Sequence, residues 1–144
     1  MKFRKFTQII SLFKFAYISI TVLCFGFCQS QTIKTLNKIK TDHQSCLDKG
    51  DYMLGCSLDY YKKTDSLLNV VYNKIRLKLN TTEKRKFKNE QLGWLKKKDS
   101  YFRKVEKNTK NEVGDIIGSD LRMIITDKEA DFVFDRVEEL IKRL

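Results

Sequence analysis

Apolar side chains return every three or four residues between Leu54 and Leu79, as Leu54, Leu58, Tyr61, Leu68, Tyr72, Ile75 and Leu79, with Asp65 as the carboxylate in the series. Such spacing lays one stripe along an α-helix. It predicts a helix over about 51–79, with Gly50-Asp51 as its N-terminal cap. A turn at Asn80-Thr81-Thr82 follows, and Asn80 with Glu83 three residues on has the form of a capping box. The second helix, about 82–110, carries the stripe Phe87, Gln91, Leu95, Lys98, Phe102 and Val105. Two amphipathic helices joined by so short a turn close as an antiparallel hairpin. Gly114 to Gly118 interrupts the pattern, and a third helix, about 119–142, presents Leu121, Ile125, Phe132, Val133, Val137, Leu140 and Leu144 at helical spacings. It is expected to pack across the hairpin. Thr126 with Glu129 repeats the capping-box form inside this segment, and one helix with a kink allowed at Thr126 is the expectation. The fold class is all-α, and with no proline in the sequence long helices meet few breakers.

The two stripes fix a register. Pairing positions that sum to about 163 sets Leu58 beside Val105, Tyr61 beside Phe102, Leu68 beside Leu95, Tyr72 beside Gln91, and Asp65 beside Lys98. Each polar residue on one stripe then meets a polar residue on the other. An unpaired carboxylate on a buried stripe costs several kcal/mol, so the register predicts an Asp65–Lys98 ion pair.

The chain before these helices differs in kind. Residues 1–30 hold Lys2, Arg4, Lys5 and Lys14, no acid, and an apolar run from Phe15 to Phe27, which is the layout of a secretory signal peptide. That run is shorter than the roughly 20 residues a membrane helix needs. Small residues Cys28 and Ser30 suit cleavage before Gln31, whereas Phe27 does not suit acylation of Cys28 as a lipoprotein. Residues 31–50 form a polar, Lys-rich lead, left open between frayed helix and coil, and 51–144 form one helical domain.

From residue 31 onward the chain keeps 25 of the 29 Lys and Arg and all 18 acids, a formal charge of +7. This balance favours anionic partners such as wall polymers, lipid headgroups or acidic proteins; export argues against nucleic acid. The Lys84–Lys88 and Lys96–Lys98 clusters read equally well as a solvated surface. Only Cys46 and Cys56 remain after residue 30. An even pair in an oxidising compartment reads as a disulfide, worth roughly 3 kcal/mol for so short a loop. Two thiols and the lone His43 do not complete a metal site.

Catalysis has few parts available. His43, the one imidazole, falls in the polar lead, where an exposed, idle histidine is expected. No Ser or Cys has an evident base, no glycine-rich phosphate loop occurs, and no cofactor motif is present. The carboxylates of Asp131, Asp135, Glu138 and Glu139 fall on the exposed face of the last helix and read as solvation. Gly93 beside Trp94 reads as a place where a neighbouring helix approaches closely and the indole enters the core.

The order Cys56, Asp65, Leu68-Asn69, Tyr72, Gln91, Trp94, a basic residue and Asp99 resembles the LprI-like lysozyme inhibitor domain of bacterial envelope proteins, over about 90 residues. Arg136 and Leu140 are the counterparts of an Arg and Leu in the family's last helix. Two departures stand out: Lys98 replaces the usual Arg, and Phe102 stands where many members have a Cys, so the family's second disulfide is absent. The resemblance implies a helical, non-enzymatic, periplasmic or secreted protein that binds lysozyme or another glycan hydrolase. Asp65, Asn69, Tyr72, Gln91, Trp94, Lys98, Asp99 and Arg136 are then either a network that fixes helix register or the lining of a small binding cleft. Charge opposes a strongly basic lysozyme as target unless the fold assembles a compact acidic patch. The alternative is an envelope module that binds anionic wall polymer or membrane surface through its basic face.

Overall fold

The computed structural model describes residues 30–114 and 117–144; the signal-peptide reading, with Cys28, falls outside them up to residue 29. The described chain is all-α. Helix α1 covers 30–47, α2 Met53–Lys78, α3 Thr81–Val113 and α4 Ser119–Ile141. The capping box at α3 forms as expected: Glu83 N–H donates to the Asn80 side chain at 3.0 Å, and Asn80 N–H donates to the Glu83 carboxylate at 2.9 Å. The expected Gly50-Asp51 cap on α2 does not form. Tyr52 is the capping residue, in the left-handed region at φ 53°, and no side chain caps the helix. Cys46 and Cys56 stand at disulfide distance, with α-carbons 5.8 Å apart. The chain therefore reverses between them in a few residues, and Tyr52 takes a conformation that costs a non-glycine residue roughly 1–2 kcal/mol.

The polar lead is a fourth element of the core. Its helix α1 buries Leu36 fully and Thr32 almost fully, with Ile33 and Ile39 against the same cluster. Leu36 and Ile39 were too few apolar positions among lysines to mark a stripe. Helix α1 runs antiparallel to α2, with Cys46 beside Cys56 and His43 stacked on Tyr60. Helix α4 packs chiefly on α2 and secondarily on α3. It runs parallel to α2, since Tyr60 meets Asp131 near one end and Lys78 bonds the Leu144 carbonyl at the other. It runs antiparallel to α3, since Lys128 meets Glu112 and Arg143 meets Glu90. It is continuous through Thr126, whose hydroxyl donates to the Arg122 carbonyl at 2.7 Å instead of capping a new helix. Among the described residues no helix is long and apolar enough to cross a membrane.

The hairpin register holds in one place and fails in others. Tyr61 and Phe102 meet, ring centroids 6.1 Å apart. Tyr72 stacks on Phe87 at 4.8 Å, not on Gln91. Leu58 and Leu95, both expected inside, are 44% and 37% exposed. Asp65 and Lys98 form no ion pair: Asp65 is half-buried and reaches water, and the Lys98 ammonium lies 5.3 Å from the Phe102 ring centre. The cause is rotation. Besides Leu68 and Ile75 of the expected series, α2 buries Cys56, Tyr60, Thr64, Leu67 and Val71, so its buried face is turned toward the stripe one position, or about 100°, before the one through Asp65. Helix α2 must serve α1 and α4 as well as α3, so its buried face turns toward those two. The expected close approach at Gly93 is also absent, since a Cβ added there would meet nothing within 4 Å.

Candidate functional site

The α1–α2 turn, braced by the cysteine pair, borders an open cleft of about 370 Å³ lined by residues that include Asp42, His43, Ser45, Asp59, Tyr60 and Lys63. Its floor is a stack. The His43 ring lies on Tyr60 with centroids 4.3 Å apart and planes 10° apart, and Tyr60 touches Phe134 beneath at 6.5 Å. The Tyr60 hydroxyl donates to Asp131 at 2.9 Å. His43 Nε2 lies 3.1 Å from Asp127 Oδ1, and neither buried atom has another partner. Burial, then the hydrogen bond to Asp131 and the charges of Asp131, Asp127 and Asp135, push the Tyr60 phenol far above its ordinary range. It is a neutral donor at every physiological pH and no nucleophile. Ser45 makes no hydrogen bond to His43, so no serine–histidine pair forms, and both thiols are used by the cysteine pair.

Histidine 43 is therefore not the idle surface residue its polar neighbours suggested. Helix α1 turns it inward three residues before Cys46, on the side that faces Tyr60. Asp131 likewise is not spent on solvation alone, because it takes the Tyr60 proton donor. With Asp127 and Asp135 it occupies one side of α4, four residues apart each time. Asp42 and Asp59 stand on the cleft wall, paired to Lys38 at 2.9 Å and Lys63 at 2.6 Å. Asp42 and Asp59 thus line the cleft together with Lys49 and Lys63, while Asp127, Asp131 and Asp135 of α4 act on the His43–Tyr60 stack from the other side.

Tyr52, in the turn that precedes the cleft residue Cys56, is 85% exposed. Its ring lies over Gly55, where an added Cβ would come within 1.8 Å of ring carbon Cε1. The missing side chain at Gly55 leaves the space that the ring occupies.

A second constellation joins α3 to α4. Arg136 is 4% exposed. Its Nη2 donates to Glu90 at 2.9 Å and to Gln91 Oε1 at 3.0 Å, Nε donates to Gln91 Oε1 at 3.3 Å, and Nη1 donates to Glu139 at 2.8 Å. Arg143 adds a 2.7 Å bond to Glu90. Burial works against a charged Glu90, but the bonds from Arg143 and Arg136 outweigh it and hold the carboxyl below its ordinary range. The Arg136 guanidinium sits 5.8 Å from the Trp94 ring centre, and Trp94 stacks on Phe132. A guanidinium buried among so many acceptors is an interhelical lock whose nitrogens are taken by protein groups.

Of the eight residues expected to form a network or cleft, this lock brings together Gln91, Trp94 and Arg136. The rest are elsewhere. Tyr72 packs on Phe87, Asn69 is exposed with its amide on the Asp65 carbonyl at 3.0 Å, Lys98 lies over Phe102, and Asp99 is exposed. Asp65 and Asp99 make no side-chain hydrogen bond or ion pair among the described residues. Sequence reasoning missed Tyr52, Tyr60, Asp127, Glu90 and Arg143. The four-residue spacing of Asp127, Asp131 and Asp135 is the available signal, of which sequence reasoning singles out only Asp131 and Asp135, as part of a solvated face.

A family model described as lysozyme inhibitor LprI matches residues 45–140 of the 144. The matched stretch begins just before Cys46 and contains the whole of α2 and α3 and all but the end of α4. No curated protein and no solved structure matches the chain.

Proposed function

The chain belongs to the LprI lysozyme inhibitor family, and on that premise we propose that it is an exported, non-enzymatic protein that binds a lysozyme or similar glycan hydrolase in the extracytoplasmic space. The docking face is the end that carries the cysteine pair. One observation carries this assignment of the face: Tyr60 has Asp42 and Asp59 on its cleft side, beside Lys49 and Lys63, and Asp127, Asp131 and Asp135 near it on α4. Residues 31–144 have a formal charge of +7, so a basic enzyme meets repulsion elsewhere and attraction here. Tyr52 offers an aromatic anchor at this end, since an exposed tyrosine held by a short braced turn loses little freedom on binding.

Binding of a basic lysozyme by calorimetry or surface capture, at low and high salt, tests the proposal. Affinity should fall with salt. Tyr52→Ala should weaken binding by roughly 30-fold or more, the range of an aromatic hot spot. Gly55→Ala, which pushes the ring from its seat without removing it, should weaken binding less while leaving thermal stability intact. No binding to basic or neutral hydrolases at any salt would refute the function; binding that ignores Tyr52 and Asp135→Lys would refute the face.

A further inference from the structure

The opposite end of the bundle has the reverse character. Between positions 73 and 90 seven Lys and Arg stand against two acids. Both acids are engaged within the protein, Glu83 in the α3 capping box and Glu90 with Arg136 and Arg143. Lys74, Arg76, Lys84, Arg85, Lys86 and Lys88 form no ion pair among the described residues. At their centre Leu77 is 81% exposed. Leu77 lines an open cleft of about 290 Å³ together with Asn73, Arg76 and Lys84.

We propose that this α2–α3 corner docks on the surface of an anionic bilayer, with Arg76 and Lys84 on a lipid phosphate and Leu77 entering the acyl boundary. Charge complementarity is the first argument. Unpaired cations on a rigid corner are attracted to an anionic leaflet, each changing partition roughly fivefold. The second argument is Leu77, because a soluble anionic polymer offers nothing to bury an exposed leucine, whereas the headgroup and acyl boundary does. Topology adds a third. Antiparallel packing of α1 on α2 places residue 30 at this same end, three residues after the apolar run of the sequence closes at Phe27. The aspartate-rich end, where Asp59 stands 17 residues before Arg76 along α2, then points outward. The inference does not depend on hydrolase binding, which uses the other end.

Protein recovered from an exporting host should be mixed with vesicles of equal parts phosphatidylglycerol and phosphatidylcholine, with vesicles of phosphatidylcholine alone, and with soluble polyphosphate. Thermal melts confirm folding of each variant. The proposal expects preferential, salt-sensitive binding to the anionic vesicles, lowered at least tenfold by Arg76→Glu with Lys84→Glu. It also expects Leu77→Gln to lower vesicle binding severalfold while leaving polyphosphate retention unchanged. Equal binding to both vesicle types, or anionic-vesicle binding untouched by the double reversal, overturns the site. Polyphosphate binding as tight as vesicle binding and no effect of Leu77→Gln assigns the corner to wall polymer and overturns the bilayer. Because Tyr52 is not involved, Tyr52→Ala should bind vesicles as the parent does.

Discussion

Arg136 is buried while its acids are not, and that difference predicts an asymmetry. Glu90 and Glu139 are 42% and 59% exposed at the side chain, against 4% for Arg136. Replacing Arg136 by Met frees both carboxylates to water, Glu90 keeps Arg143, and the apolar side chain fills the space beside Trp94. What is lost is mainly the bonds to Gln91, so the cost should be about 1 kcal/mol. Neutralising the acids instead, by Glu90→Gln with Glu139→Gln, leaves a guanidinium buried without a counter-charge. That should cost about 3 kcal/mol. Adding Arg136→Met to the double variant should recover most of the loss. Urea unfolding at neutral pH, followed by circular dichroism, gives all four stabilities, and the reasoning is refuted if Arg136→Met is the most damaging change. The pH dependence follows with its sign. Glu90 is held below its ordinary range in the folded protein, so its contribution is present above the unfolded carboxylate value of about 4.3 and is lost as pH falls through the lower folded value. Arg136→Met should flatten that acid limb only in part, because Arg143 still holds Glu90.

Other outcomes follow from single sites. Gly93→Ala should raise stability by up to about 1 kcal/mol in the same urea assay, since the position is mid-helix and open. Reducing the Cys46–Cys56 pair, or Cys46→Ser with Cys56→Ser, should lower stability by roughly 3 kcal/mol and release Tyr52 from its left-handed turn, visible as loss of amide protection at 47–55. Asp65→Asn and Lys98→Met should each change stability by less than about 0.5 kcal/mol and be additive in a double-mutant cycle, because the two side chains are not paired.

How much of this was legible before the fold was known depends on what kind of signal each residue sends. The helices were legible because period and capping are local: the Asn80–Glu83 box needs only four residues to announce itself, and no proline disturbs the long stripes. The cysteine pair was legible by elimination. The face each helix buries was not. Leu67 and Leu68, like Tyr60 and Tyr61, are adjacent apolar residues, so α2 supports two stripes about 100° apart. Which one turns inward is decided by α1 and α4, and α1 was hidden because Leu36 and Ile39 are scattered among lysines. The Asp65–Lys98 pair was lost with that choice. The aspartate-rich end was illegible for a similar reason, since its members come from α1, α2 and α4 and no single segment is acidic. Gln91, Trp94 and Arg136 were found through the family pattern, though as members of a larger set, and Glu90 and Arg143 complete the lock from positions that looked like surface charge.

Residual activity of a basic lysozyme, titrated with this protein at low ionic strength, tests the central claim most directly. The account predicts that activity falls to a stoichiometric end point. It also predicts that Asp42→Lys with Asp135→Lys raises the protein concentration needed by at least tenfold, while Arg76→Glu with Lys84→Glu, at the other end, does not. Full activity at excess protein would contradict the function, and inhibition unchanged by the aspartate reversals would contradict the face assigned to it.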